Sequence, residues 1–389
     1  MQVSTGLPRQ QHIPEGITVT TVFTPKRAGS IAAALLASTL LLSACAANEA
    51  PAAGTDDSTD GATTSLSGTL DGSGASSQGS AQEAWIAAFQ IANDQVTINY
   101  APDGSGAGRE AFISGGVSFA GSDSALNDDE LAGTFAACVS DTPAFEVPAY
   151  ISPIALIFNV EGVDELNLDA ATIASIFNGD ITKWDDAAIA DLNPDATLPD
   201  ADITAVHRSD DSGTTKNFAD YLYQVAPDVW TEEPADTFPY KAGEAAKGTS
   251  GVVDAVTNGT NTIGYADASK AGELGVANIK VGDEFVGYTA EAAAAVVEES
   301  PAVEGREASD LAIAIDRTTT DPTHYPLVLV SYIIGCTEYA DAEAGSLVKE
   351  YVSYITSAEG QEVAASSAGA AALSTDLADK VATVVSAIK

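Results

Sequence analysis

Histidine and cysteine are scarce in this 389-residue chain: His12, His207 and His324 stand alone, and Cys45, Cys138 and Cys336 never reach a Cys-x-x-Cys spacing. That pattern excludes a histidine–cysteine zinc or haem site, and nothing else in the sequence signals a metal or a cofactor. Positive charge is short as well. Sixteen Lys and Arg stand against 56 Asp and Glu, a formal net charge of -40, which argues against nucleic acid or an anionic membrane surface as a partner. A Walker phosphate loop is excluded because no Gly-Lys-Ser/Thr occurs. The leading apolar run, Ile31 to Leu42, is too short to span a bilayer comfortably.

That run follows Lys26 and Arg27 and ends in Leu42-Ser43-Ala44-Cys45. A charged segment, a short apolar core and small residues before a cut make a secretory signal peptide over 1–45. Residues 1–25 do not look like the start of such a signal, so a translation start downstream of Met1 is expected. Residues 46–64 are rich in Ala, Asp, Gly, Ser and Thr without an aromatic residue; they cannot bury enough apolar area to order themselves and read as a flexible acidic tether. Removing Cys45 leaves Cys138 and Cys336, and the oxidising compartment of an exported protein would allow them to pair. The hydrophobic fraction of 45% suffices for globular cores, and the remaining length suggests two domains.

The most informative stretch is His207 to Phe218, HRSDDSGTTKNF. Phe218, Tyr221, Leu222 and Val225 fall at i, i+3, i+4 and i+7, which predicts an amphipathic helix whose first turn is Ser212-Gly213-Thr214. Its unpaired amides and the positive end of its dipole would face whatever Arg208 faces, so the segment outlines a site for a tetrahedral anion. Alone it could equally be an ordinary N-cap with a surface arginine. Two further strand-to-helix junctions carry glycine and serine in the same way: Asp71-Gly-Ser-Gly-Ala-Ser-Ser77 after a strand at 65–70, and Gly104-Ser-Gly-Ala-Gly108 after a strand at Val96 to Tyr100. Asp123 ends a further apolar strand, and reads either as a site acid or as the N-cap of a helix over Leu126 to Leu131. Gly264-Tyr265 at the close of a strand, the Glu291–Glu299 run as a solvated helix, and a terminal amphipathic helix at Leu347 to Ile355 read as structural.

In this order and at these separations, DGSGASS, NYAPDGSGAG, FAGSDSAL and HRSDDSGTTKNF resemble the phosphate-specific substrate-binding subunit of bacterial phosphate ABC transporters. IFNGDITKWDD at Ile176 to Asp186 and LNPDA at Leu192 to Ala196 extend the likeness, which covers nearly everything from Leu70 onward. The resemblance implies an α/β, two-domain periplasmic binding protein (Venus-flytrap) fold with the ligand in the interdomain cleft; residues 65–150 and 326–389 would form domain I and 151–325 domain II. The apolar runs Val147 to Val160 and Tyr325 to Ile334 would be the crossover strands, and Cys138 and Cys336 would share a domain, which permits a disulfide. Leu-Ser-Ala-Cys resembles a lipobox with Cys45 as the acylated residue. An extracytoplasmic, lipid-anchored monomer follows, with inorganic phosphate and the permease subunits as partners and no enzymatic activity.

By the same resemblance phosphate is bound by Ser76, Ser77 and Ser105 from one domain and Arg208, Ser212, Gly213 and Thr214 from the other. Asp210 orients Arg208. The family position matching Ser77 is usually aromatic, and only its amide is expected to bind. Asp123 carries the selectivity: an ionised carboxylate accepts hydrogen bonds and donates none, so it admits a phosphate that still holds a proton and rejects sulfate. The alternatives are a receptor for another tetrahedral oxyanion and a secreted phosphatase. The latter would need a nucleophile with a base or a pair of metals, and neither pattern is visible.

Overall fold

The computed structural model describes residues 66–389. The expected signal peptide, Cys45 and the tether at 46–64 lie outside the described residues. No helix among the described residues is long and apolar enough to cross a membrane.

The chain alternates strand and helix from the start. β1 (Gly68–Gly74), α1 (Gly79–Ala92), β2 (Val96–Ala101), α2 (Ser105–Ile113) and β3 (Phe119–Ser122) place β1 between β2 and β3, parallel to both. β1 runs further than its sequence suggests, because Gly72 and Ser73 are held by ladder partners on both edges and Gly74 by one on β3; turn-forming residues are overridden by pairing. Gly74 needs to be glycine, since its φ is +147° and a Cβ there would meet the Gly121 carbonyl oxygen at 1.9 Å. After β3 comes a single helical turn, α3 (Asp128–Leu131), whose capping box is made by Asn127 and Glu130. Asp123 is therefore not an N-cap.

β4 (Ala144–Asn159) is the longest strand and is buried through Phe158. Its first part, to Pro153, pairs antiparallel with β12; from Ile154 onward it pairs with β8. This change of partner joins two half-sheets into the order β2-β1-β3-β12-β4-β8-β6-β7. The near-continuous apolar runs seen in the sequence follow from burial on both faces. The second half begins with β5 (Asn167–Leu168), α4 (Ala170–Asn178) and α5 (Ala187–Ala190), then repeats strand and helix with β6 (Thr204–Arg208), α6 (Gly213–Val225), β7 (Glu244–Ala246), α7 (Gly248–Asn258) and β8 (Thr262–Asp267). β6 lies parallel between β7 and β8. β9 (Gly275–Val276) adds to β4, while β10 (Asn278–Val281) and β11 (Glu284–Val286) form a small sheet with β5.

α8 (Ala290–Glu299) buries Ala293, Val296 and Val297, so it is not wholly solvated. A long irregular return then leads into β12 (Val328–Cys336), followed by α9 (Ala342–Ile355), α10 (Ala358–Ala368) and α11 (Thr375–Ser386). The expected helix at Leu347 to Ile355 is present but not terminal. Among the described strands only β4 passes between both half-sheets; β12, expected as a second crossover, stays with β3 and β4. Cys138 and Cys336 are joined by a disulfide.

Candidate anion-binding site

β1, β2, β6 and β7 each run into a helix, and such carboxyl ends at a topological switch point are where α/β sheets bind ligands. β1 ends at Ser76-Ser77 before α1, β2 at Gly104 before α2, β3 at Asp123, and β6 at Arg208 before Ser212 and α6. The structure brings all these residues together. A Cβ on Gly213 would lie 2.7 Å from the Asp123 Cβ and 2.8 Å from the Ser105 Oγ, so the first turn of α6 rests directly on the first half. Glycine permits that approach.

Asp123 sits at the centre and is 4% exposed. Its Oδ1 accepts from Ser77 Oγ at 2.6 Å and Ser331 Oγ at 2.6 Å, and its Oδ2 from Thr214 Oγ1 at 2.8 Å. The backbone is tied as well: Asp123 N donates to Ser105 Oγ, and Asn217 Nδ2 donates to both Asp123 O and Gly213 O. Burial pushes the Asp123 carboxyl above its ordinary value, while the three hydroxyls and the Arg208 charge oppose that rise.

Arg208 is 3% exposed and forks onto Asp210, with Nε 2.8 Å from Oδ1 and Nη2 on Oδ2. Gly248 N steadies the same carboxylate at 3.0 Å. Burial works to raise Asp210, but the Arg208 hydrogen bonds and charge outweigh it and hold the group below the usual carboxylate range. Gly104, at φ +111°, lets this pair lie beneath the α2 junction, since a Cβ there would stand 2.6 Å from Asp210 Oδ2. Arg208 Nη1 has no acceptor among the described residues, and neither do the amides of Ser76, Ser77, Ser105, Gly213 and Thr214. Ser212 caps α6 by accepting from Thr215 N at 3.2 Å. Its own amide is taken by Asp236 O.

Several contributors have no counterpart in the sequence reading. Ser77, expected to act through its amide alone, places its hydroxyl on Asp123. Ser331 lies inside the apolar β12, where one serine among buried aliphatics was the available signal. Thr249, in the first turn of α7, donates its amide to Ser76 Oγ at 3.0 Å; its context, Lys247-Gly-Thr-Ser-Gly251, repeats the composition of the other junctions. Tyr265, read as merely structural, receives the Arg208 amide at 3.3 Å and meets Thr215 Oγ1 at 2.7 Å. Arg109 from α2 binds Glu130 Oε1 at 2.9 Å and reaches across to Asp236 Oδ2 at 2.6 Å, in the loop after α6. No group of three or more His, Cys, Asp or Glu side chains gathers to hold a metal ion among the described residues.

Two half-sheets joined through one strand, with helix N-termini converging at the junction, define a binding protein of the periplasmic type. The chain belongs to the PBP superfamily, whose domain model matches residues 47–359, and within it to the PstS-type phosphate-binding proteins. The phosphate-binding protein PstS3 of Mycobacterium bovis is 36% identical over 343 residues, covering 84% of this chain and 90% of the relative. PstS 2 of Mycobacterium tuberculosis is 33% identical over 340 residues, 84% and 90% of the two chains. Among solved structures, a high-affinity periplasmic phosphate-binding protein (PfluDING) bound with phosphate shares the fold with a TM-score of 0.67 at 21% identity, over 81% of this chain and 93% of that one. The phosphate binding protein of Stenotrophomonas maltophilia matches with a TM-score of 0.59 at 19% identity, over 82% and 94%.

Proposed function

We propose that this protein binds inorganic phosphate outside the cell membrane and delivers it to the permease of an ABC transporter for import. The observation that carries this reading is the pairing of donors with one acceptor: five amides and an arginine nitrogen without protein acceptors surround a single buried carboxylate. A phosphate dianion removed from water needs a donor for each oxygen, because an unpaired charge in a low-dielectric interior costs many kcal/mol. Ser76, Ser77 and Ser105 serve one face of the anion, and Arg208, Ser212, Gly213 and Thr214 the other. Arg208, aligned by Asp210, supplies the charge-assisted contact.

Asp123 filters. Three of its roughly four acceptor positions are already used by hydroxyls, so its remaining capacity lies at Oδ2. A ligand oxygen that carries a proton satisfies that position; a fully ionised oxyanion meets like charge there. The anion leaves as it entered, so the protein is a receptor and not an enzyme. Residues 65–150 with 326–389 and residues 151–325 are the two halves that close on the anion, which agrees with the change of partner along β4. Acylation at Cys45 holds the monomer at the outer face of the membrane, with the tether giving it reach to the permease.

Replacing Asp123 tests this assignment. Asp123→Asn is expected to raise sulfate affinity relative to phosphate by roughly 30-fold or more, the equivalent of about 2 kcal/mol of relieved like-charge repulsion. Calorimetric titration with both anions reads the ratio. An unchanged ratio with intact phosphate binding contradicts the filter.

A further inference from the structure

Behind Asp123 runs a line of buried polar side chains that phosphate binding does not require. Tyr351 OH donates to Gln82 Oε1 at 2.7 Å, Gln82 Nε2 to Gln78 Oε1 at 2.8 Å, Gln78 Nε2 to Ser331 Oγ at 2.7 Å, and Ser331 Oγ to Asp123 Oδ1 at 2.6 Å. All four residues behind the carboxylate are at most 1% exposed. Every donor in the line points the same way. Two acceptors that cannot donate fix this direction. One is the Tyr332 carbonyl, which takes Gln78 Nε2 at 3.1 Å and so sets the orientation of the amide; the other is the Asp123 carboxylate. Ser331, already accepting from Gln78, has its single proton committed to Asp123. Ser77 adds a second proton to the same oxygen. Gly121 makes room for the arrangement, since a Cβ there would stand 2.8 Å from Gln78 Oε1.

We propose that Gln78 and Ser331, with Ser77, are specificity-determining positioning residues: their one-directional relay keeps Asp123 ionised and saturates Oδ1, so that only Oδ2 faces the ligand. The inference rests on the phosphate reading above and adds to it a reason why discrimination would survive acidification. A carboxyl group buried this deeply is inclined to take up a proton. Protonated, it becomes a donor and welcomes an oxyanion that carries none. With the relay intact, a proton on Oδ1 would confront the Ser77 and Ser331 protons. The charged and titratable groups around Asp123 do not replace that function. Arg208 from β6 favours the ionised form but is engaged with Asp210. Tyr100 from β2 donates to Ala75 O and faces Asp123 only through space. Across the adjoining cleft, Arg317 is engaged with Asp220 and Arg306 with Asp310, while Lys216 lines the same cleft.

The experiment uses the full chain and the variants Ser331→Ala and Gln78→Met, with Ser331→Thr as the conservative replacement that retains a hydroxyl. Phosphate and sulfate affinities are measured from pH 8 to pH 4.5, and the Asp123 carboxyl is followed by carbon NMR without either anion. The wild type and Ser331→Thr should hold their rejection of sulfate to lower pH than the variants that break the line. Ser331→Ala and Gln78→Met should still prefer phosphate at pH 8 and gain sulfate affinity on acidification, by up to about tenfold for each unit by which the Asp123 titration moves up. A purely structural role would weaken both anions at every pH and leave that titration in place. Selectivity profiles that superimpose on the wild type, or an unmoved Asp123 titration, overturn the proposal. A wild type that titrates as described but binds no phosphate overturns instead the reading on which it rests.

Discussion

Arg208 lies beside the converging helix ends, and its geometry leaves little slack. Asp210 occupies Nε and Nη2, so Nη1 is the part left for a ligand. Lysine at this position would supply charge without the fork, and would lose its alignment by Asp210. Arg208→Ala should weaken phosphate binding by about 2–5 kcal/mol, roughly 30- to 5,000-fold, because a buried anion is left underpaired. Calorimetry or equilibrium dialysis measures the loss; affinity near the wild-type value would remove Arg208 from the site. The arginine and Asp123 could be found in the sequence because each stands beside small hydroxyl residues at a strand end. Ser331 could not. It is 208 positions from Asp123, and only the antiparallel docking of β12 on β3 brings the two together.

At the scale of elements, the junctions at α1, α2 and α6 were legible because the same glycine and hydroxyl composition recurs at three strand ends. α7 carries the same signal at Gly248-Thr249 and joins the site through Ser76, yet its strand β7 is only three residues long and lacks an apolar pattern. The Arg109 pairing with Asp236 was illegible for another reason. It depends on where an irregular loop settles, which periodicity does not encode. β8 offers an element-level prediction. Its last residue, Asp267, faces Ile154 where β4 changes partner, and it receives Tyr150 OH at 3.0 Å and the Ser269 amide at 3.0 Å. Burial raises its carboxyl to about 6 despite those donors.

A raised carboxyl favours the folded state most at low pH, and that contribution is lost as pH climbs from the ordinary value near 4 through about 6. Wild-type stability relative to Asp267→Asn should therefore fall by about 2 kcal/mol between pH 4 and pH 7. Urea unfolding of both proteins at several pH values measures the difference. Parallel pH profiles would show that Asp267 titrates normally. Asp210 and Asp236, which are held low, act in the opposite direction; subtracting the variant isolates Asp267 from them.

Over the molecule as described, polar contacts tie the halves together across the site. Gly213 rests on Asp123, Gly106 N reaches Asp211 O, and Arg109 reaches Asp236. Such contacts can be exchanged for water when the halves part, whereas the continuous burial of β4 cannot. The disulfide lies at the far end of the β12–β4 pairing, where Cys336 faces Ala144 in the ladder, and so braces the first half away from the change of partner on β4. The net charge of -40 opposes an anion at long range, but salt screens it within about 8 Å at physiological strength. Local donors must then do the binding. The division into halves followed from the resemblance and from two apolar runs; the register change on β4 required three-dimensional pairing. Titrating the anion-stripped protein with phosphate and then sulfate tests the central claim most directly: one-to-one phosphate binding without sulfate heat is the predicted result, and a folded sample that takes up no phosphate, or takes up both anions alike, would contradict it.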